Sequence, residues 1–169
     1  TFAMVGLATA REHLHAVRLT VEAQELFPAA AATLCRTALV GASLAVWMLD
    51  PDDRPVRLRR SLSLALEDYK RHIQFGADAM ELLGPHQLNP TADEQLERLK
   101  LRRHQVLTLL EGLGGPCEVN LSDDVLPLAL EVAIKDPSIR AEMTLRWRSM
   151  SGAAHASLWH YFGNEGTTA

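Results

Sequence analysis

Lysine is scarce in this chain: three stand against fourteen arginines among 169 residues. Isoleucine and asparagine are equally few, a bias that reads as coding from a GC-rich, bacterial genome. Aromatic residues make up only 5%. The two cysteines, Cys35 and Cys117, form no CxxC and have no histidine close by. That excludes a structural zinc site of ordinary spacing and predicts reduced thiols. A formal net charge of -4 excludes a globally basic nucleic-acid domain. GxGxxG, P-loop and GxSxG motifs are absent, so dinucleotide folds and hydrolase elbows have no footing and no cofactor is expected. No DNA-reading motif is present either. Seven histidines invite a metal, yet no pair falls at i,i+3 or i,i+4, HExxH is missing, and no metal site is expected.

Long apolar runs are also wanting. Pro28–Leu49 comes nearest, but Arg36 interrupts it and the clean run over 38–49 falls short of the ~20 residues that span a bilayer. It reads as a buried central helix, with no membrane partner. No charged n-region leads into an apolar stretch with a small-residue cleavage site, so no secretory signal is expected. Reduced thiols and that absence predict a cytoplasmic protein.

What is present is helical periodicity. Leu7, Ala10, Leu14, Val17 and Val21 share a face of a first helix over 2–26. Pro28 suits the first turn of a second helix, which stops at the Asp50-Pro51 turn. A third helix carries a stripe from Leu58 through Leu62, Ala65, Tyr69, Ile73 and Met80 to Leu83. Thr91 and Glu94 form a capping box before a fourth, which Gly112, Gly114 and Gly115 end. Residues 116–124 read as loop. A fifth helix over 127–135 is apolar nearly all round, as though sandwiched. Asp136-Pro137 caps a sixth, which Ser151-Gly152 bends or breaks before it resumes to 162. No strand alternation competes. The expectation is an all-α fold: an antiparallel bundle of four long helices with additional short helices, one domain over 1–162, and a flexible tail over 163–169. Two helices apolar on most of their circumference predict a homodimer.

The chemistry gathers near the C-terminus. Arg148 and His155 are seven apart, about 20° out of line on a continuous helix, with Ser151 between them and Trp159 one turn on. A guanidinium fork, a hydroxyl and an imidazole on one face suit a phosphate: the fork holds it and the imidazole moves a proton near neutral pH. The same spacing fits a solvated Arg148 and a core His155 bonded to Ser151. Arg36, alone among apolar neighbours, calls for a carboxylate such as Glu67, Asp68 or Glu131; alternatively it lines a ligand pocket with Arg148 and His155. Arg54, Arg57, Arg59 and Arg60, and Arg98, Lys100, Arg102, Arg103 and His104, form two basic clusters that either meet phosphates or face solvent.

Arg148, six residues and His155 on a late helix of an all-α chain resemble the R-x(4–6)-H pattern of HEPN domains. The segments from Arg36 to Pro51 and from Trp147 to His155 are also similar to HEPN-related bacterial helical proteins. The resemblance implies an RNA-binding protein or a metal-independent endoribonuclease of the toxin–antitoxin or defence kind. Arg148, Ser151 and His155 would be catalytic, and Arg36 and Trp159 would contact the ligand. Ser149 stands where active members often carry Asn, Asp or His, so an inactive scaffold competes. A non-enzymatic ligand-binding or regulatory dimeric module is the alternative.

Overall fold

A computed structural model describes residues 2–25, 27–83 and 91–155. Among them the chain is entirely helical: α1 (Phe2–Glu22), α2 (Pro28–Leu49), α3 (Arg54–Leu83), α4 (Ala92–Glu111), a π-turn (Leu121–Val125), α5 (Leu126–Ala133) and α6 (Pro137–Ala154). Contacts group the chain into two compact units. One joins residues 3–50 to the segment from Asn120 onward, and the other holds residues 51–119. The expected tail over 163–169 lies outside the described residues.

In the first unit α2 is central, packing on α5, α6 and the π-turn. Pro28 occupies its first turn. Ala38, Gly41, Ser43, Ala45, Trp47 and Met48 are buried around its circumference, as its all-round apolarity requires. By length and composition it is also the one helix among the described residues apolar enough to cross a membrane. Leu126 and Leu130 of α5 and Trp147 of α6 form the local core, with Leu39, Val40, Ile134 and Met143 packed against them.

Two expectations change here. The stripe expected on α1 is buried only in part, at Ala10 and, half-buried, Val17. Ala3 and Ala10 are buried, and Gly6 touches the backbone at Gly41, while Leu7, Leu14 and Val21 stay 44%, 55% and 55% exposed. Small residues let two backbones approach more closely than leucines permit, so the close contact sets the rotation of the helix. That helix also ends earlier than residue 26, at Glu22, and Gln24 beyond it takes positive φ (57°). The fifth helix, in turn, is not sandwiched. It starts at Leu126 and buries Leu126, Ala129 and Leu130 on one side, leaving Val132 53% exposed.

The second unit is an α3–α4 pair. Leu110 is fully buried, and Leu96, Leu99 and Val106 are half-buried along the expected face. On α3 the inward face begins after Leu58, which is 44% exposed, and Ala65 and Ser63 lie deepest. Thr91 precedes α4 as expected, but its hydroxyl caps no backbone N–H. Gln95 donates to that hydroxyl (3.2 Å) and Glu94 pairs with Arg98 (3.5 Å), so side-chain pairing displaces the capping box. At the other end Gly114 (φ 87°) lets the Gly115 N–H reach Leu110 O (2.7 Å) and its own N–H reach Glu111 O (3.2 Å), a Schellman closure. The loop beyond is tied down. Arg59 Nε donates to Gly115 O (2.7 Å), and the Cys117 N–H donates to buried Ser63 Oγ (3.0 Å).

Candidate functional site

The site belongs to α6 and begins with how that helix starts. Asp136 Oδ1 accepts the Ser138 N–H (2.8 Å) and the Ser138 hydroxyl (2.7 Å), capping the first turn beside Pro137. Those bonds, the hydroxyl's foremost, hold the Asp136 carboxyl below its ordinary value of 3.8. Arg140 then reaches back from the same turn to Ile134 O (2.8 Å) and Lys135 O (3.1 Å). With the start pinned, the register of everything downstream follows.

One face of α6 carries Met143 and Trp147 into the core. The neighbouring face carries Arg148 and His155. Ser151-Gly152 does not break the helix, which runs to Ala154, and the His155 N–H continues the pattern to Ser151 O (3.2 Å). Arg148 and His155 therefore lie about two turns apart on one surface, both exposed, with Ser151 half-buried on the turn between them. All three line an open groove of about 580 Å³. That volume falls within the range that holds small ligands, ~300–1,000 Å³. Leu145 and Trp147 give it an apolar wall, and Ser149 and Ser122 add two hydroxyls.

Among the described residues neither Arg148 nor His155 has a side-chain hydrogen bond or ion pair, so the expected alternative of a core His155 bonded to Ser151 does not hold: His155 is exposed. The resulting electrostatics are simple. A guanidinium stands about two helical turns from a solvent-facing imidazole, with hydroxyls between and beside them that can donate or accept. Such groups have the chemistry to bind a tetrahedral oxyanion and to move one proton.

Ser122 was not anticipated. It sits on the π-turn, inside the segment expected to be loop. Asn120 shapes that turn, accepting the Ser122 and Asp123 N–H groups (3.1 and 3.2 Å) and donating to Asp123 Oδ2 (2.8 Å). The Asn-x-x-Asp spacing is the signal that marks such a turn.

Arg36 does not line the groove. Its guanidinium carbon lies 4.7 Å from the centroid of the Trp147 ring, and among the described residues no carboxylate pairs with it. The expected ion pair is thus replaced by a cation–π contact from α2 to α6. Arg36 Nε is the one buried side-chain polar atom among the described residues without a hydrogen-bond partner. Trp159 falls outside the described residues.

Two members of each basic cluster are engaged within the chain. Arg57 Nη1 holds Pro51 O (2.6 Å) and Asp52 O (2.7 Å), and Arg59 holds Gly115 O. Arg98 pairs with Glu94 and Lys100 with Glu97 (2.7 Å). No three His, Cys, Asp or Glu residues among those described could share a metal ion. No protein-family model matches the chain, and no curated protein or solved structure is significantly similar to it.

Proposed function

We propose that the α6 groove is a phosphodiester site and that the protein is a HEPN-like helical bundle cleaving RNA without a metal, as a toxin or defence component in the bacterial cytoplasm. One observation carries this reading: Arg148 and His155, both exposed and without a side-chain polar partner among the described residues, open into one groove with hydroxyls around them. Arg148 holds the non-bridging oxygens of a phosphate through its planar fork. The RNA 2′-hydroxyl attacks the adjacent phosphorus, a new O–P bond forms, and the bond to the 5′-oxygen breaks. His155 takes the proton from the attacking hydroxyl, and a water molecule delivers one to the leaving 5′-oxygen. Ser151 donates to the same phosphate. The products are a 2′,3′-cyclic phosphate and a 5′-hydroxyl.

The test is cleavage of RNA in excess chelator, with the cyclic end identified by mass. His155→Ala should lower the rate by about 10²–10⁴-fold, the usual worth of a proton-transfer group, and leave the helical circular-dichroism spectrum unchanged. An exposed His155 makes that substitution structurally mild. Intact RNA with wild-type protein rejects the catalytic reading.

The homodimer belongs to the same proposal, and α1 offers a face for it. Leu7, Leu14 and Val21 leave an apolar stripe open along α1, which favours self-association there. The same stripe favours the second reading, a dimeric module without catalysis. Sedimentation equilibrium of wild type and Leu14→Glu tests the interface.

A further inference from the structure

We propose that Arg36 is an electrostatic positioning residue for the Arg148–His155 groove: its unpaired charge stands behind the Trp147 wall and strengthens the hold on a phosphate-class anion. This rests on reading the groove as a phosphate site. Arg36 is the only charged residue in α2. It lies in the layer where α2 meets α6, beside the apolar cluster of Leu39, Val40, Leu126 and Leu130. Its Nε is buried without a hydrogen-bond partner, and no described carboxylate forms an ion pair with it. Arg36 is half-buried, so an apolar side chain of similar length removes the buried, unbonded Nε at little cost to the fold. The contact with Trp147 offsets only part of the penalty of burying that atom.

Trp147 is what links this charge to the groove. The ring stacks under Arg36, and the same residue lines the groove next to Arg148. Acidic groups on the packed elements are turned to other partners or to solvent. Glu142 pairs with Arg146, Asp123 accepts from Asn120, and Asp124 and Glu131 are exposed. The positive potential of Arg36 is therefore not cancelled locally, and a low-dielectric indole transmits it better than water does. Arg36 never touches the anion. It raises affinity through the wall while Arg148 makes the contact.

The proposal requires stability and binding to move in opposite directions. The probe is a 2′-O-methyl oligoribonucleotide, which binds but lacks the attacking hydroxyl. Arg36→Met removes the charge and keeps the length. It should weaken probe binding about three- to tenfold and leave the thermal midpoint equal or higher. Arg36→Lys keeps the charge and should bind within about twofold of wild type. Unchanged binding by Arg36→Met overturns the proposal while leaving the groove reading intact. Weaker binding that Lys does not restore, or a lowered midpoint in the Met variant, assigns Arg36 to packing and also overturns it. A wild type that neither binds the probe nor cleaves RNA removes the groove reading itself.

Discussion

Gly6 and Gly41 meet backbone to backbone: a Cβ placed on Gly6 would fall 2.6 Å from the Gly41 carbonyl oxygen, and one on Gly41 would crowd the Gly6 carbonyl still more. Neither oxygen belongs to a flexible side chain that can swing away. In a free helix Gly→Ala stabilises by roughly 0.5–1 kcal/mol. Here the sign should reverse. Gly6→Ala and Gly41→Ala are each expected to destabilise by about 1–3 kcal/mol, as overpacking does, read as a lower midpoint in thermal unfolding. A midpoint at or above wild type for both would show that α1 and α2 part easily.

In the second unit Ser63 Oγ accepts the Cys117 N–H and donates to Arg59 O (2.9 Å). Ser63→Ala should leave that N–H without its partner and cost about 1–2 kcal/mol. The loop carrying Cys117 should loosen with it. Labelling of the Cys117 thiol, measured in a Cys35→Ser background, is expected to run several-fold faster than with Ser63 present.

Legibility in the sequence followed length and chemistry. α2, α3 and α4 were readable because long stretches repeat one apolar spacing, and the start of α6 because Asp136-Pro137 is local. On α1 the spacing picked out buried Ala10 but not the Gly6 contact, because Gly41 lies thirty-five residues away in the chain and leaves no periodic trace. The Thr91 cap failed for a similar reason, Gln95 competing for the same hydroxyl. Arg148, Ser151 and His155 were found from helical register alone. Ser122 was not, since a π-turn carries no repeat, and the stacking of Arg36 on Trp147 joins two distant helices.

Asp136 sets a pH dependence. Its carboxyl titrates below the ordinary 3.8 because Ser138, by hydroxyl first and then N–H, favours the ionised form. Such a group stabilises the fold above its unfolded value, and the contribution is lost as pH falls through the lower folded value. The midpoint difference between wild type and Asp136→Ala should therefore be constant from about pH 5 to 8 and shrink below about pH 4. A difference that grows on acidification would contradict the capping role.

Arg98–His104 on α4, six apart, also falls within the R-x(4–6)-H pattern that Arg148–His155 fits, and the two can be separated by substitution. Arg98 is already paired with Glu94 on an exposed surface. Arg148→Gln should reduce RNA cleavage at least tenfold, and Arg98→Gln should leave it unchanged. Equal losses would move the chemistry away from α6.

The division of the chain has a consequence for the order of folding. Residues 51–119 are contiguous, and α3 and α4 are neighbours in sequence, so that pair assembles by closing one short loop. The unit that carries the groove has no such shortcut. Its α2 is made early, but α5 and α6 come after the whole of the intervening stretch, and the core of Leu126, Leu130 and Trp147 cannot form until they exist. Loop-closure entropy grows only slowly with length, so the delay adds little to the final free energy and much to the waiting time. On a ribosome α2 must wait, its apolar surface uncovered, until nearly the last turn of α6 has emerged. A protein built this way completes its groove only after α6 has been made and docked.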